Sequence, residues 1–273
     1  MAATVRELKG AWNFRDVAES VGALRPGRLF RSSELSRLHD DGRAALARLG
    51  ITDVADLRSP REVTRRGPGR VPDGVITHLL PFPDLGTDQT HANGAAPHKR
   101  AFRQLLAGAL DNQPPEQAAA RYMIEEYRRF PTANGAEHAV RQVMSLLAAG
   151  RSLLAHCFAG KDRTGFIVAV VLEAIGVERD AILADYLRSN DAAPSLRSRI
   201  VEMMRQNADT GLTPEVVAFA QARLCDEVLG VREEYLAAAR QAIDQAYGSL
   251  DGYLHAAGIT ATDVARVRGA LLS

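Results

Sequence analysis

The chain reads as an α/β protein with a central, mostly parallel sheet flanked by helices and a C-terminal helical lid, and three observations lead there. Short apolar runs suited to buried strands alternate with stretches of helical spacing up to Gly150. From Asp180 onward only helical patterns occur. Between these parts, Ser152-Leu153-Leu154-Ala155 leads into a small polar loop and then into the almost continuously apolar run Phe166 to Ile175, the mark of a strand feeding a buried helix.

A turn at Pro26-Gly27 precedes a short strand around Leu29-Phe30-Arg31. Asp40 to Leu49 has helical spacing and stops at Gly50, and Ile51 to Leu57 is the next strand. Gly67-Pro68-Gly69 breaks the chain before a further strand, Thr77-His78-Leu79-Leu80, which runs into Pro81-Phe82-Pro83-Asp84. Gly86 to Pro97 holds hardly any large apolar residue and reads as a surface loop. Helical spacing returns at Ala118 to Phe130 and at Glu137 to Ala149, the second ending at Gly150 just before the strand that delivers Cys157.

The C-terminal helices are expected at Ala181 to Ser189, Leu196 to Gln206, Pro214 to Leu229, Arg232 to Tyr247 and in two short closing segments, with Thr213 as the cap before Pro214. Leu196, Ile200, Met203 and Met204, with Val216, Val217, Phe219, Ala220 and Leu224, form apolar stripes. They are either ordinary core or, in the sharper reading, part of a lid over the cysteine loop formed by the region 195–232. No linker marks a boundary, so residues 1–273 are expected to form a single domain.

A formal net charge of +1 gives no reason to expect nucleic acid as a partner. Two cysteines cannot build a disulfide framework. No apolar run approaches the ~20 residues that span a bilayer, and Arg6, Glu7 and Lys9 leave no room for an apolar signal segment.

The decisive stretch is His156-Cys157-Phe158-Ala159-Gly160-Lys161-Asp162-Arg163-Thr164-Gly165. A cysteine and an arginine six positions apart bracket a glycine-containing loop at a helix N-terminus, where unpaired amides and the helix dipole favour an anion. Such a setting lowers a thiol's pKa by roughly 1 to 5 units, which makes Cys157 a nucleophile. The planar fork of Arg163 suits two phosphoryl oxygens at once. Phe158, Ala159, Gly160 and Lys161 line the cradle, and the Thr164 hydroxyl is placed to hydrogen-bond the sulfur as it leaves a phosphocysteine. The alternative, a core cysteine with an accidental arginine, has to explain Gly160, Thr164 and Gly165 as well. Cys225, followed six residues on by Val231, is expected to be a packing residue.

Ester cleavage by a thiolate needs an acid for the leaving oxygen, and two aspartates qualify. Asp84 follows a rigid proline at the mouth of a strand, and Asp162 lies within the loop; each could equally serve as a turn cap or a loop-holding pair. Lys161 is either a solvated rim lysine or a receiver for a further substrate phosphate. His156 points away from its neighbour's sulfur and is expected to hold the loop by hydrogen bonding. Arg58, at the carboxyl end of a strand, is either a substrate contact or half of a structural ion pair. No metal or cofactor enters this chemistry. Sulfur transferases and arsenate reductases also use a cysteine in an anion loop, but the five-residue interval with Asp162 and Thr164 beside Arg163 argues against them. A non-catalytic phosphate-reading module would not be expected to keep both Cys157 and Arg163.

These residues resemble the tyrosine phosphatase superfamily. Shared text includes Trp12-Asn13-Phe14-Arg15-Asp16, Leu29 to Leu35, Asp53 to Arg58, Leu80 to Leu85, the cysteine loop, Ala184 to Asn190 and Gly230-Val231. The resemblance implies a phosphatase α/β fold with a helical lid over a deep pocket. It implies activity on phosphotyrosine, reaching phosphoserine, phosphothreonine and phosphoinositides, and export of the protein into a host cell that supplies the substrate. It further implies Cys157 as nucleophile, Arg163 as phosphate clamp, Lys161 as the residue linked with lipid head groups, and Asp162 or Asp84 as the acid. A monomer is the default expectation.

Overall fold

The computed structural model describes residues 8–82, 114–206 and 224–273. Its sheet has five strands: β1 (Arg15–Asp16), β2 (Leu29–Ser32), β3 (Asp53–Asp56), β4 (Ile76–Leu79) and β5 (Leu153–His156). Their order is β1-β2-β5-β3-β4, with β1 antiparallel to β2 and the others parallel. The helices are α1 (Asp40–Arg48), α2 (Pro60–Arg66), α3 (Pro115–Arg129), α4 (Ala136–Ala148), α5 (Arg163–Ala174), α6 (Arg179–Leu187), α7 (Ala193–Gln206), α8 (Asp226–Leu229), α9 (Glu233–Tyr247), α10 (Leu250–Ala256) and α11 (Ala261–Leu271).

Strand alternation sorts the core into two layers. Phe30, Val54 and Leu154 face α1 and pack with Leu35, Leu38, Ala45 and Leu46. Leu29, Ala55, Leu153 and Ala155 face the larger layer, built from α3, α4, α5, α9 and the closing helices. The central helix α5 explains its own sequence: every residue from Arg163 to Leu172 is buried, so it has no polar face to show.

Ser32, Asp56 and His156 stand level at the carboxyl edge of the sheet, since β5 pairs Ser32 on one side and Asp56 on the other at His156. Cys157 therefore leaves the sheet from its central strand. In open α/β sheets this edge is where ligands bind.

Three elements differ from the sequence reading. Helix α2 was not expected, although Ser59-Pro60-Arg61-Glu62 carries a capping box with proline at the first position. The two-residue strand β1 is too short for a periodic signal. The helix expected from Pro214 to Leu229 does not run unbroken to its end: Cys225 has extended backbone, and a single turn starts at Asp226, where Asp226 and Glu227 favour a helix N-terminus. Residues 207–223 lie outside the described residues, and so do Asp84 and the loop expected at Gly86 to Pro97.

Candidate active site

The loop from Cys157 to Asp162 joins β5 to α5. Its carbonyls are turned outward one after another. Cys157 O lies 3.1 Å from His156 Nδ1, Phe158 O accepts from the Glu34 amide at 3.0 Å, Ala159 O accepts from Asn13 Nδ2 at 3.1 Å, and Gly160 O accepts from Arg31 Nη2 at 2.7 Å. Peptide planarity sends each following amide the other way, so the N–H groups of Phe158, Ala159, Gly160 and Lys161 face inward together. Convergent amides at the start of α5 make an anion cradle without any charged side chain.

Gly160 is required for this path. Its φ is +69°, and a Cβ there would sit 2.1 Å from Ser32 O. Gly165 serves packing instead. A Cβ there would lie 2.8 Å from Tyr186 Cε2, so glycine lets α6 press against the first turn of α5.

Arg163 is 2% exposed and firmly aimed. Its Nη1 and Nη2 donate to Glu62 at 2.7 and 2.9 Å, and Nη1 also reaches Leu57 O and Phe82 O. Burial opposes its charge, but Glu62 and Cys157 outweigh burial and hold its pKa above the ordinary arginine value. Its Nε and Thr164 Oγ1 are buried polar atoms with no hydrogen-bond partner among the described residues. Glu62, which the sequence reading passed over, is thereby the residue that orients the clamp; the capping-box signature was the available clue.

His156 is fully buried, and burial pushes its pKa down, against the pull of Asp56. To bond Cys157 O the ring must carry a proton on Nδ1. It holds the loop, as expected. Cys157 itself is 2% exposed. Phe158 and Ala159 are covered by Leu196, Ile200 and Met204 of α7 together with Leu224 and Leu229. The Arg66 guanidinium lies 3.9 Å over the Phe158 ring, and Trp12 meets the same ring edge-on.

The structure bears on two pairs of alternatives left open above. Lys161 is not at a solvated rim: it is 1% exposed, and its Nζ donates to Asp162 at 2.7 Å and to Gly230 O at 3.0 Å. A lysine so placed cannot reach out for a remote phosphate without giving up both bonds. Arg58 is fully buried and bound to Asp56 at 2.6 Å, to Glu34 at 3.2 Å and to Gly67 O. The ion-pair alternative for Arg58 is the one the geometry favours, because these acceptors absorb its fork. Asp162 accepts from Lys161 and from Tyr127 Oη at 3.1 Å, and Tyr186 Oη donates to Tyr127 Oη in turn. Its ammonium partner is Lys161, a loop-holding pair of the kind that was one alternative for it. Cys225 packs against the main core, and burial with Glu227 pushes its thiol up to about 11.

A cysteine at the sheet edge and a buried arginine held by Glu62 flank a loop suited to an anion. A model described as tyrosine phosphatase family matches residues 6–273. The chain belongs to the tyrosine phosphatase family. It is 66% identical over 275 residues to the triple specificity protein phosphatase PtpB of Mycobacterium tuberculosis, covering 98% of this chain and 99% of that one. A Cupriavidus necator protein that carries a tyrosine-protein phosphatase name is 33% identical over 96% of this chain and 86% of its own. A tyrosine-protein phosphatase of Nostoc commune is 25% identical over 87% of this chain and 72% of its own. The resemblance expected from the loop and its flanking text is thus borne out along almost the whole length. Among the described residues no cluster of metal-ligating side chains occurs, and no helix is long and apolar enough to cross a membrane.

Proposed function

We propose that this tyrosine phosphatase hydrolyses phosphate monoesters through a phosphocysteine at Cys157. The observation that carries this is the set of four consecutive carbonyls after the cysteine that are tied to protein partners, since planarity turns each following amide away from those partners. Cys157 Sγ attacks phosphorus while the amides and Arg163 hold the equatorial oxygens. The unpartnered Nε of Arg163 suits a phosphoryl oxygen, and the unpartnered Thr164 hydroxyl suits the departing sulfur. Asp162 or Asp84 protonates the leaving oxygen and later activates water. Arg163 donates to Phe82 O, so the chain passes the clamp two residues before Asp84, which itself lies outside the described residues.

The region 195–232 acts as the lid in this reading. Its support is the apolar seat of α7 on Phe158 and Ala159 over a cysteine that is 2% exposed, so the cover has to lift for substrate to enter. The relative's name speaks of triple specificity. Carried here, the substrates are phosphotyrosine, phosphoserine or phosphothreonine, and phosphoinositides. The buried ties of Lys161 give it a place in holding Asp162 and Gly230 first, with a lipid phosphate as partner only if those bonds are given up. Export to a host cell rests on the resemblance.

Cys157→Ser tests the core of the proposal. Turnover of p-nitrophenyl phosphate should vanish while vanadate binding persists; wild-type-like turnover in that variant removes the proposal.

A further inference from the structure

Two stretches shared with the family have so far entered only through the bond of Asn13 to Ala159 O: Asn13-Phe14-Arg15-Asp16 and the segment from Ala184 to Asn190. In the structure they meet behind the cradle. Asp185, on α6, is 1% exposed and accepts from Arg15 Nε at 2.7 Å and from Arg31 Nη1 at 2.6 Å. Arg15 Nη2 also donates to Asp185 O at 2.7 Å, and both guanidinium groups reach Ser189 Oγ.

Each arginine leads to a loop carbonyl. Arg31 Nη2 donates directly to Gly160 O at 2.7 Å. Arg15 Nη1 donates to Asn13 Oδ1 at 2.6 Å, which leaves Asn13 Nδ2 facing Ala159 O at 3.1 Å. One carboxylate therefore stands behind two of the four bonds that turn the cradle outward. Two arginines this close and this buried repel each other: burial first and Arg31 after it lower Arg15 to about 10, with Asp185 working against both. For Asp185 itself burial would raise the carboxyl, but Arg31 and Arg15 outweigh it and hold it below the usual carboxylate range. The pairing is thus mutual.

We infer that Asp185 is a positioning residue for phosphoryl transfer, which through Arg31 and the Arg15–Asn13 pair fixes the Gly160 and Lys161 amides toward the phosphate and the Cys157 sulfur. The inference rests on the phosphatase reading and adds to it a residue that touches neither substrate nor nucleophile. Its physical content is specific. Loosening the Gly160 or Ala159 carbonyl lets the following amide rotate away from the anion, so both the thiolate and the bound oxyanion lose a donor while the apolar core is untouched.

The test compares Asp185→Asn, Arg31→Lys and Asn13→Ala with Val267→Ala, a core truncation in α11 that only destabilises. For each, the pH dependence of Cys157 alkylation by iodoacetate, the vanadate inhibition constant and Tm are measured. Asp185→Asn and Arg31→Lys should move the alkylation midpoint up by about one pH unit and weaken vanadate by roughly tenfold, the effect of one lost charge-assisted contact. Asn13→Ala, at a half-exposed residue, should do the same to a smaller extent, and it carries the test if the buried variants do not fold. Unchanged midpoints and vanadate constants in the folded variants, or an equal shift in Val267→Ala, would overturn the inference. A wild-type thiol that alkylates with an ordinary midpoint and turns over no ester sinks the phosphatase reading instead.

Discussion

The residue the sequence reading passed over gives the sharpest prediction. In Glu62→Gln the carboxylate that accepts Arg163 Nη1 at 2.7 Å and Nη2 at 2.9 Å becomes an amide with one acceptor and one donor. One arm of the pair is lost, and the new N–H faces another N–H. The same oxygen that takes Nη1 also accepts the Ser59 amide at 2.9 Å, so an amide placed that way round breaks the capping box of α2 as well. Removing one partner of a buried pair costs about 3–5 kcal/mol. Leu57 O and Phe82 O still hold Arg163 Nη1, which places the cost near the lower end, about 3 kcal/mol. For a chain of this size that corresponds to a fall in Tm of roughly 6–12 °C. Catalysis should suffer separately: the arginine remains but is no longer aimed, so kcat/KM should drop roughly 10- to 100-fold, less than deleting a donor outright. Steady-state kinetics on p-nitrophenyl phosphate, run well below the variant's Tm, reads the second effect without the first. A folded Glu62→Gln enzyme within twofold of wild-type kcat/KM would refute the claim that this ion pair orients the clamp.

Three further outcomes follow from the same geometry. Gly160→Ala forces a left-handed backbone on a residue with a side chain, at about 1–2 kcal/mol, and drives a methyl into Ser32 O; vanadate binding should be lost even where circular dichroism shows a fold, and retained affinity would contradict the cradle. Because burial lowers the His156 pKa, the unfolded chain takes up that proton first on acidification, so stability is intact above about pH 6.5 and declines below it. Tm measured between pH 7.5 and 5.5 should fall, and His156→Gln should flatten the slope; an identical slope means other groups carry it. Asp162→Asn should erase the basic limb of the kcat/KM profile if Asp162 is the acid, whereas an intact limb assigns the acid to Asp84, tested by the matching substitution.

The glycine, the hydroxyl and the spacing of cysteine and arginine were legible because they answer to local rules. A strand delivers the sulfur, a helix N-terminus supplies amides, and one residue must take positive φ. The fold class was legible for the same reason: Leu153 to His156 and the uniformly buried α5 advertise a central strand and a central helix in their own composition. What stayed hidden was partner choice between residues far apart in the chain. Lys161 and Arg58 each have one acid beside them in sequence, Asp162 and Asp56, and only packing supplied the distant partners Gly230 and Glu34 that complete their ties.

By itself, then, the order of residues determined that Cys157 and Arg163 would bracket a loop between a strand and a helix N-terminus, because those features depend on neighbours a few positions away. Tertiary structure alone decided which charges are committed to holding the fold together. A buried ion pair such as Glu62 with Arg163, or Asp185 with Arg15 and Arg31, joins segments about 100 and 170 positions apart. No local periodicity records such a pairing, since its energy depends on mutual burial and distance.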